Sequence, residues 1–115
     1  MKKVFFILVS ILLINSISYA EQRQFATIYG VGVNSCAEYF SARESKNQGM
    51  IYQYRAWMDG YFSATSMWKP DFNDENITSQ KRVALLMWLD NYCRENPLKS
   101  FVVAIQALEQ ELVQR

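Results

Sequence analysis

The sequence predicts a small all-α domain of four helices, clipped by one disulfide and preceded by a cleavable signal peptide. Apolar residues recur at three- and four-residue steps, and the longest such segment lacks the alternation of a strand. Two cysteines, far apart in a chain of 115 residues, supply the covalent clip. That length holds one domain at most. With no histidine, neither a Ser-His-Asp triad nor a Cys-His pair is available from this chain. A zinc site would rest on two thiols and carboxylates, an unusual set. Twelve Lys+Arg against 11 Asp+Glu leave no strongly basic face for nucleic acid.

Met1-Lys2-Lys3 is a short positive segment, and Val4 to Ile14 is apolar apart from Ser10, shorter than a comfortable membrane span. Ser18-Tyr19-Ala20 puts small residues at the positions that a signal peptidase reads, so cleavage is expected after Ala20. No cysteine follows that cut, and no second apolar run of the kind appears, so neither a lipid anchor nor a stable membrane anchor is expected. Residues 1–20 are read as the signal peptide and residues 21–115 as a single disulfide-stapled helical domain, periplasmic after secretion. Losing Lys2 and Lys3 leaves ten basic and 11 acidic side chains, a net charge of −1. A domain this small buries a modest core and commonly needs a staple. Export permits one, and Cys36 with Cys93 is the one intramolecular pairing on offer. Closing that loop is worth about 4 kcal/mol by chain entropy. The spacing is unlike Cys-x-x-Cys, which marks the bridge as structural.

Residues 21–33 carry Gly30-Val31-Gly32-Val33, whose two glycines disfavour a helix and predict an extended arm with a turn. The run has neither the spacing nor the ending of a phosphate loop. Asn34 or Ser35 caps a first short helix to about Arg43, with Cys36, Tyr39 and Phe40 on one face. Residues 45–49 read as a loop. The second helix runs from about Met50 to Trp68, with Ile51, Tyr54, Trp57, Tyr61, Ala64 and Trp68 as its stripe. Gly60 within it points to close helix packing. Lys69-Pro70-Asp71-Phe72-Asn73-Asp74 ends that helix in an acidic turn. Thr78 or Ser79 caps a third helix to about Arg94, whose stripe of Leu85, Trp88, Leu89, Tyr92 and Cys93 brings Cys93 toward Cys36. Asn96-Pro97 reads as an N-cap followed by proline at the first helical position. The fourth helix then reaches about Gln114, lined by Leu98, Phe101, Val102, Ile105, Leu108 and Leu112, with Lys99, Gln106, Glu109 and Gln110 mostly outward.

The aromatic series Tyr52, Tyr54, Trp57, Tyr61 and Trp68 is foremost a core, but rings less well placed for the main stripe than Tyr54 and Trp57 are free to meet a partner. Candidate partner-binding residues are therefore Tyr52 and Tyr61, Trp68 at the helix end, and Asp71, Phe72 and Asp74 in the exposed connection. Asp59 and Asp90 lie beside core stripes and read as solvated or salt-bridged carboxylates, with Arg55 or Arg94 as partners, rather than as an acid/base pair. Asp71, Asp74 and Glu75 lack the ligand spacing of a calcium loop. Asn76-Ile77-Thr78 matches a glycosylation acceptor, which matters only in a eukaryotic secretory route. No catalytic residue, metal ligand or cofactor is expected, and a non-enzymatic protein is the reading.

Taken in order, Ser35-Cys36-x-x-Tyr39, Tyr54-x-x-Trp57-x-x-Gly60-Tyr61, Trp88-Leu89-x-x-Tyr92-Cys93-x-x-Asn96-Pro97 and the closing amphipathic helix form a pattern over most of the mature chain. It resembles small exported bacterial helical proteins grouped with two families. One is the HdeA-like acid-stress chaperones, short helical domains held by one disulfide between an early and a late cysteine. The other is the Rap/Tai immunity proteins, periplasmic inhibitors of secreted cell-wall amidases; the further cysteine pairs common there are absent here. These motifs are cysteines, packing rings, a glycine and a cap, and they transmit fold better than function. The resemblance implies a chaperone-like module with a polypeptide client or, as the alternative, an inhibitor whose 69–76 connection enters a toxin's groove. A homodimer through the second helix is a further expectation.

Overall fold

The computed structural model describes residues 27–72 and 79–113, with backbone alone for Ser79 and Gln80. The expected signal peptide over residues 1–20, residues 21–26 of the arm, Asp74, Thr78 and the Asn76-Ile77-Thr78 match to a glycosylation acceptor lie outside the described residues. Four α-helices follow a single 3-10 turn at Gly30–Val33: α1 (Cys36–Glu44), α2 (Gln48–Trp68), α3 (Ser79–Glu95) and α4 (Phe101–Val113). The domain is all-α and carries the expected bridge between Cys36 and Cys93.

The turn expected in the arm is a single 3-10 turn over Gly30–Val33, entered from an extended Tyr29. Gly30 has φ of +66°, which lets the chain curl into the turn. Ser35 then caps α1 in a full capping box. Its hydroxyl accepts from the Glu38 amide at 3.2 Å, while Glu38 accepts from the Ser35 amide at 2.7 Å. Asn47 caps α2 by accepting from the Met50 amide at 3.2 Å.

The face that α2 buries is Ile51, Tyr54, Met58 and Phe62, with Trp57 and Tyr61 half-buried on its flank. At 100° per residue Phe62 lies within about 20° of Ile51, whereas Trp68 has drifted about 100° away. The expected stripe through Ala64 and Trp68 is corrected on that ground: Ala64 is exposed and Trp68 is 82% exposed. Gly60 is corrected too. It points to solvent, and a Cβ built there meets nothing within 4 Å. Gly60→Ala is therefore expected to stabilise the domain by about 0.5–1 kcal/mol, read from urea denaturation. A loss of stability would show that the position is crowded after all.

The core packs Tyr39, Tyr54 and Phe101 within 5.1 Å of one another, centroid to centroid, beside the fully buried disulfide. Leu85, Leu86 and Leu89 from α3, with Ala104, Ile105 and Leu108 from α4, complete it.

α4 begins at Phe101, four residues later than Asn96-Pro97 implies. The reason is tertiary. Segment 97–101 lies against the start of α1 through an antiparallel bridge between Ser35 and Ser100. The amides of Cys36 and Ala37, orphans of the first helical turn, donate to the carbonyls of Lys99 and Pro97 at 2.7 and 3.0 Å. Phe101 returns the favour to the Asn34 carbonyl at 2.7 Å. Leu98, expected in the core, is consequently 95% exposed.

Candidate functional site

Charges tie the helices together at three places among the described residues. Arg43 of α1 clasps Asp90 of α3 with two hydrogen bonds of 2.8 Å, and the Tyr39 hydroxyl donates to the same carboxylate at 2.9 Å. Arg82 of α3 meets Asp59 of α2 at 3.3 Å. These partners replace the expected Arg55 and Arg94. Arg94 instead lies over the Phe40 ring and donates to Asn91. The side chains of Asp59 and Asp90 face different arginines on different helices, which sequence spacing alone does not show.

The third pair builds the candidate site. Glu109 is the one buried charged residue among those described, with its side chain 7% exposed, against the outward expectation. It sits eight residues after Phe101 and four after Ile105, on the edge of the apolar stripe of α4. The Tyr61 hydroxyl donates to its Oε2 at 2.5 Å, and the Lys69 ammonium donates to its Oε1. Burial pushes the Glu109 carboxyl up, but the hydrogen bonds from Lys69 and Tyr61 outweigh it and hold the group below its ordinary value. Burial, reinforced by the adjoining carboxylate, keeps the Tyr61 phenol protonated far above its own usual range. A carboxylate held ionised between two donors stores charge; it is the reverse of the raised carboxyl that acid catalysis uses.

Around this carboxylate lies a cleft of about 480 Å³ between the end of α2 and the last turns of α4. Trp68, Pro70, Asp71 and Val113 form its exposed wall, and Phe72 stacks on Phe62 at 5.4 Å beneath them. Lys69 reaches in from the solvent side with its side chain 58% exposed. The connection is fixed at its root by Lys69, whose amide donates to the Thr65 carbonyl at 2.9 Å.

Of the candidate partner-binding residues, Trp68, Asp71 and Phe72 come together in this cleft, and Tyr61 reaches it through Glu109. Two corrections follow: Phe72 is core rather than surface, because it stacks on Phe62, and Tyr61 is half-buried against Trp57 and Glu109. Tyr52 is exposed but stands on the opposite flank of α2, nine residues and about 13 Å along the axis from Tyr61. Lys69 and Glu109 carry the site and were missed. The available signal was Glu109 at an i+4 step from Ile105, inside the apolar pattern.

Fold and site together define a disulfide-stapled, all-α domain with a paired carboxylate at the base of an aromatic-rimmed cleft. Comparisons with protein-family models, with curated proteins and with solved structures return no match. No described helix is long and apolar enough to cross a membrane, and no described cluster of three or more acidic or thiol groups converges to hold a metal.

Proposed function

We propose that this chain is an exported, periplasmic, non-enzymatic binding protein of the HdeA-like acid-stress chaperone type, holding polypeptide clients on apolar surface that acid uncovers. One observation carries this reading: among the described residues the ion pairs Arg43–Asp90, Arg82–Asp59 and Lys69–Glu109 join different elements, and each depends on a carboxylate. A buried disulfide is compatible with an oxidising compartment and keeps the frame together when such pairs break.

The sign of the acid effect follows from Glu109 and Glu38. Both are held below their ordinary values, Glu38 by the Ser35 amide and hydroxyl. Their contribution to stability is complete above the unfolded carboxylate value of about 4.3 and is lost as pH falls through the lowered native values. Full protonation also takes the mature side-chain charge from −1 to +10, so self-repulsion assists opening. With no histidine, the trigger belongs to the carboxylate range and not to pH 6.

The test is dye binding and sedimentation of the oxidised mature chain between pH 7 and pH 2, with suppression of client aggregation measured alongside. Apolar surface is expected to appear below about pH 4, and sedimentation reads any homodimer at neutral pH. A compact, unchanged protein at pH 2 overturns the acid-responsive reading. It would leave the Rap/Tai-type inhibitor, which one observation favours: Trp68 and Asp71 stand exposed beside Phe72, which is anchored by its stack on Phe62.

A further inference from the structure

The geometry points to the Trp68–Glu109 cleft as a docking site for a basic side chain, lysine or arginine, of a partner polypeptide, a site that Lys69 fills from within the chain. This goes beyond the acid-driven client binding above, because it needs the Glu109 carboxylate ionised, and it names the chemistry of a partner met at neutral pH.

The two partners of the ion pair are unequal. Glu109 is buried and has Tyr61 and Lys69 as its donors, so its charge is stabilised by a cation beside it. Lys69 depends less on the pair. Its side chain is more than half exposed, and on leaving Glu109 its ammonium regains full hydration. The chain's own lysine thus shows which ligand chemistry the cleft accepts, an alkylammonium donating to Glu109 Oε1, and is itself free to exchange.

An incoming basic side chain gains contacts that Lys69 lacks. Trp68 stands 82% exposed at the wall, offering the face of an indole to a cation and its aliphatic stem. Val113 and Pro70 supply apolar surface beside it. Charge complementarity points the same way: among the described residues Asp71 and Glu109 line the cleft, with Lys69 as the cation facing them. The cleft, about 480 Å³, takes one long side chain with its neighbours resting on the rim. An acidic or purely apolar segment would meet Asp71 or leave the exchange unmade.

The test uses the oxidised, exported chain at pH 7, well away from any acid opening. Three capped tripeptides serve as probes, Leu-Lys-Leu, the same with norleucine for lysine, and the same with Nε-acetyl-lysine. Binding is read from the indole N–H resonance of Trp68, assigned with Trp68→Phe. The lysine peptide is expected to shift that resonance and to bind at least about tenfold more tightly than either neutral peptide, as a buried polar site discriminates. Lys69→Met removes the internal competitor, and the lysine peptide is then expected to bind about tenfold more tightly still, by the fraction of open sites released. Glu109→Gln abolishes the preference for lysine. Equal binding of all three peptides, or none to the unaltered chain, overturns the proposal. The peptide comparison needs no variant, so misfolding of one does not blunt it. The acid titration described above proceeds without peptide, so the two readings fail separately.

Discussion

Cys93→Ser is expected to lower the unfolding free energy by about 4 kcal/mol, because the bridge closes a 57-residue separation in the unfolded chain. On a domain this small that is a fall in Tm on the order of 20 °C. Both half-cystines are fully buried among Tyr39, Leu89 and Phe101, so serine would also leave a hydroxyl where the surroundings are apolar. Thermal melts of the variant and of the oxidised protein check it. Equal midpoints would mean that the aromatic cluster holds the helices without covalent help.

Gly32→Ala is expected to destabilise by about 3 kcal/mol through overpacking. An added Cβ would stand 2.2 Å from Cζ2 of Trp57, 2.5 Å from its Cε2 and 2.9 Å from Cγ2 of Ile28. The indole has little room to yield. Its Nε1–H donates to the Tyr29 carbonyl at 2.8 Å, its face stacks on Tyr61, and Phe101 meets it edge-on. Urea denaturation with near-ultraviolet circular dichroism reads both the loss and the tilt of the indole. Trp57→Phe in the same chain should recover part of the loss, since neighbours couple. A Gly32→Ala protein as stable as the parent would show that the 3-10 turn does not press on Trp57.

The helices were legible because caps and apolar spacing are local signals. Ser35 and the Ile51–Tyr54 step announce their helices without reference to the rest of the chain, whereas Asn47, the cap of α2, falls in the stretch 45–49 that reads as a loop. The capping box adds a local signal, Glu38 three residues after Ser35, that the choice between Asn34 and Ser35 as cap did not use. Phase along α2 was harder, because Trp57 draws a stripe toward itself and away from Phe62. Everything that depended on another element was hidden. Asn96-Pro97 is a sound local start signal, overridden by the Ser35–Ser100 bridge. Gly60 suggested a neighbour that is absent. Glu109 looked solvated because its compensating donors, Tyr61 and Lys69, lie 48 and 40 residues earlier in the chain.

The bridge from Cys36 to Cys93 draws a covalent ring around α1, α2 and most of α3, and α4 lies outside it. That helix is therefore the one among those described that can swing away as a unit with no covalent bond strained, hinged at residues 96–100, at the cost of the Phe101–Asn34 hydrogen bond and the bonds of Tyr61 and Lys69 to Glu109. Its amides should exchange with solvent through a sub-global opening well below the free energy of complete unfolding. A detached α4 bearing Phe101, Ile105 and Leu108 has two fates, return to its own ring or insertion into a neighbour's. Concentration then decides between a monomer and a swapped pair, so storage and refolding at high concentration select for reciprocal exchange of that helix.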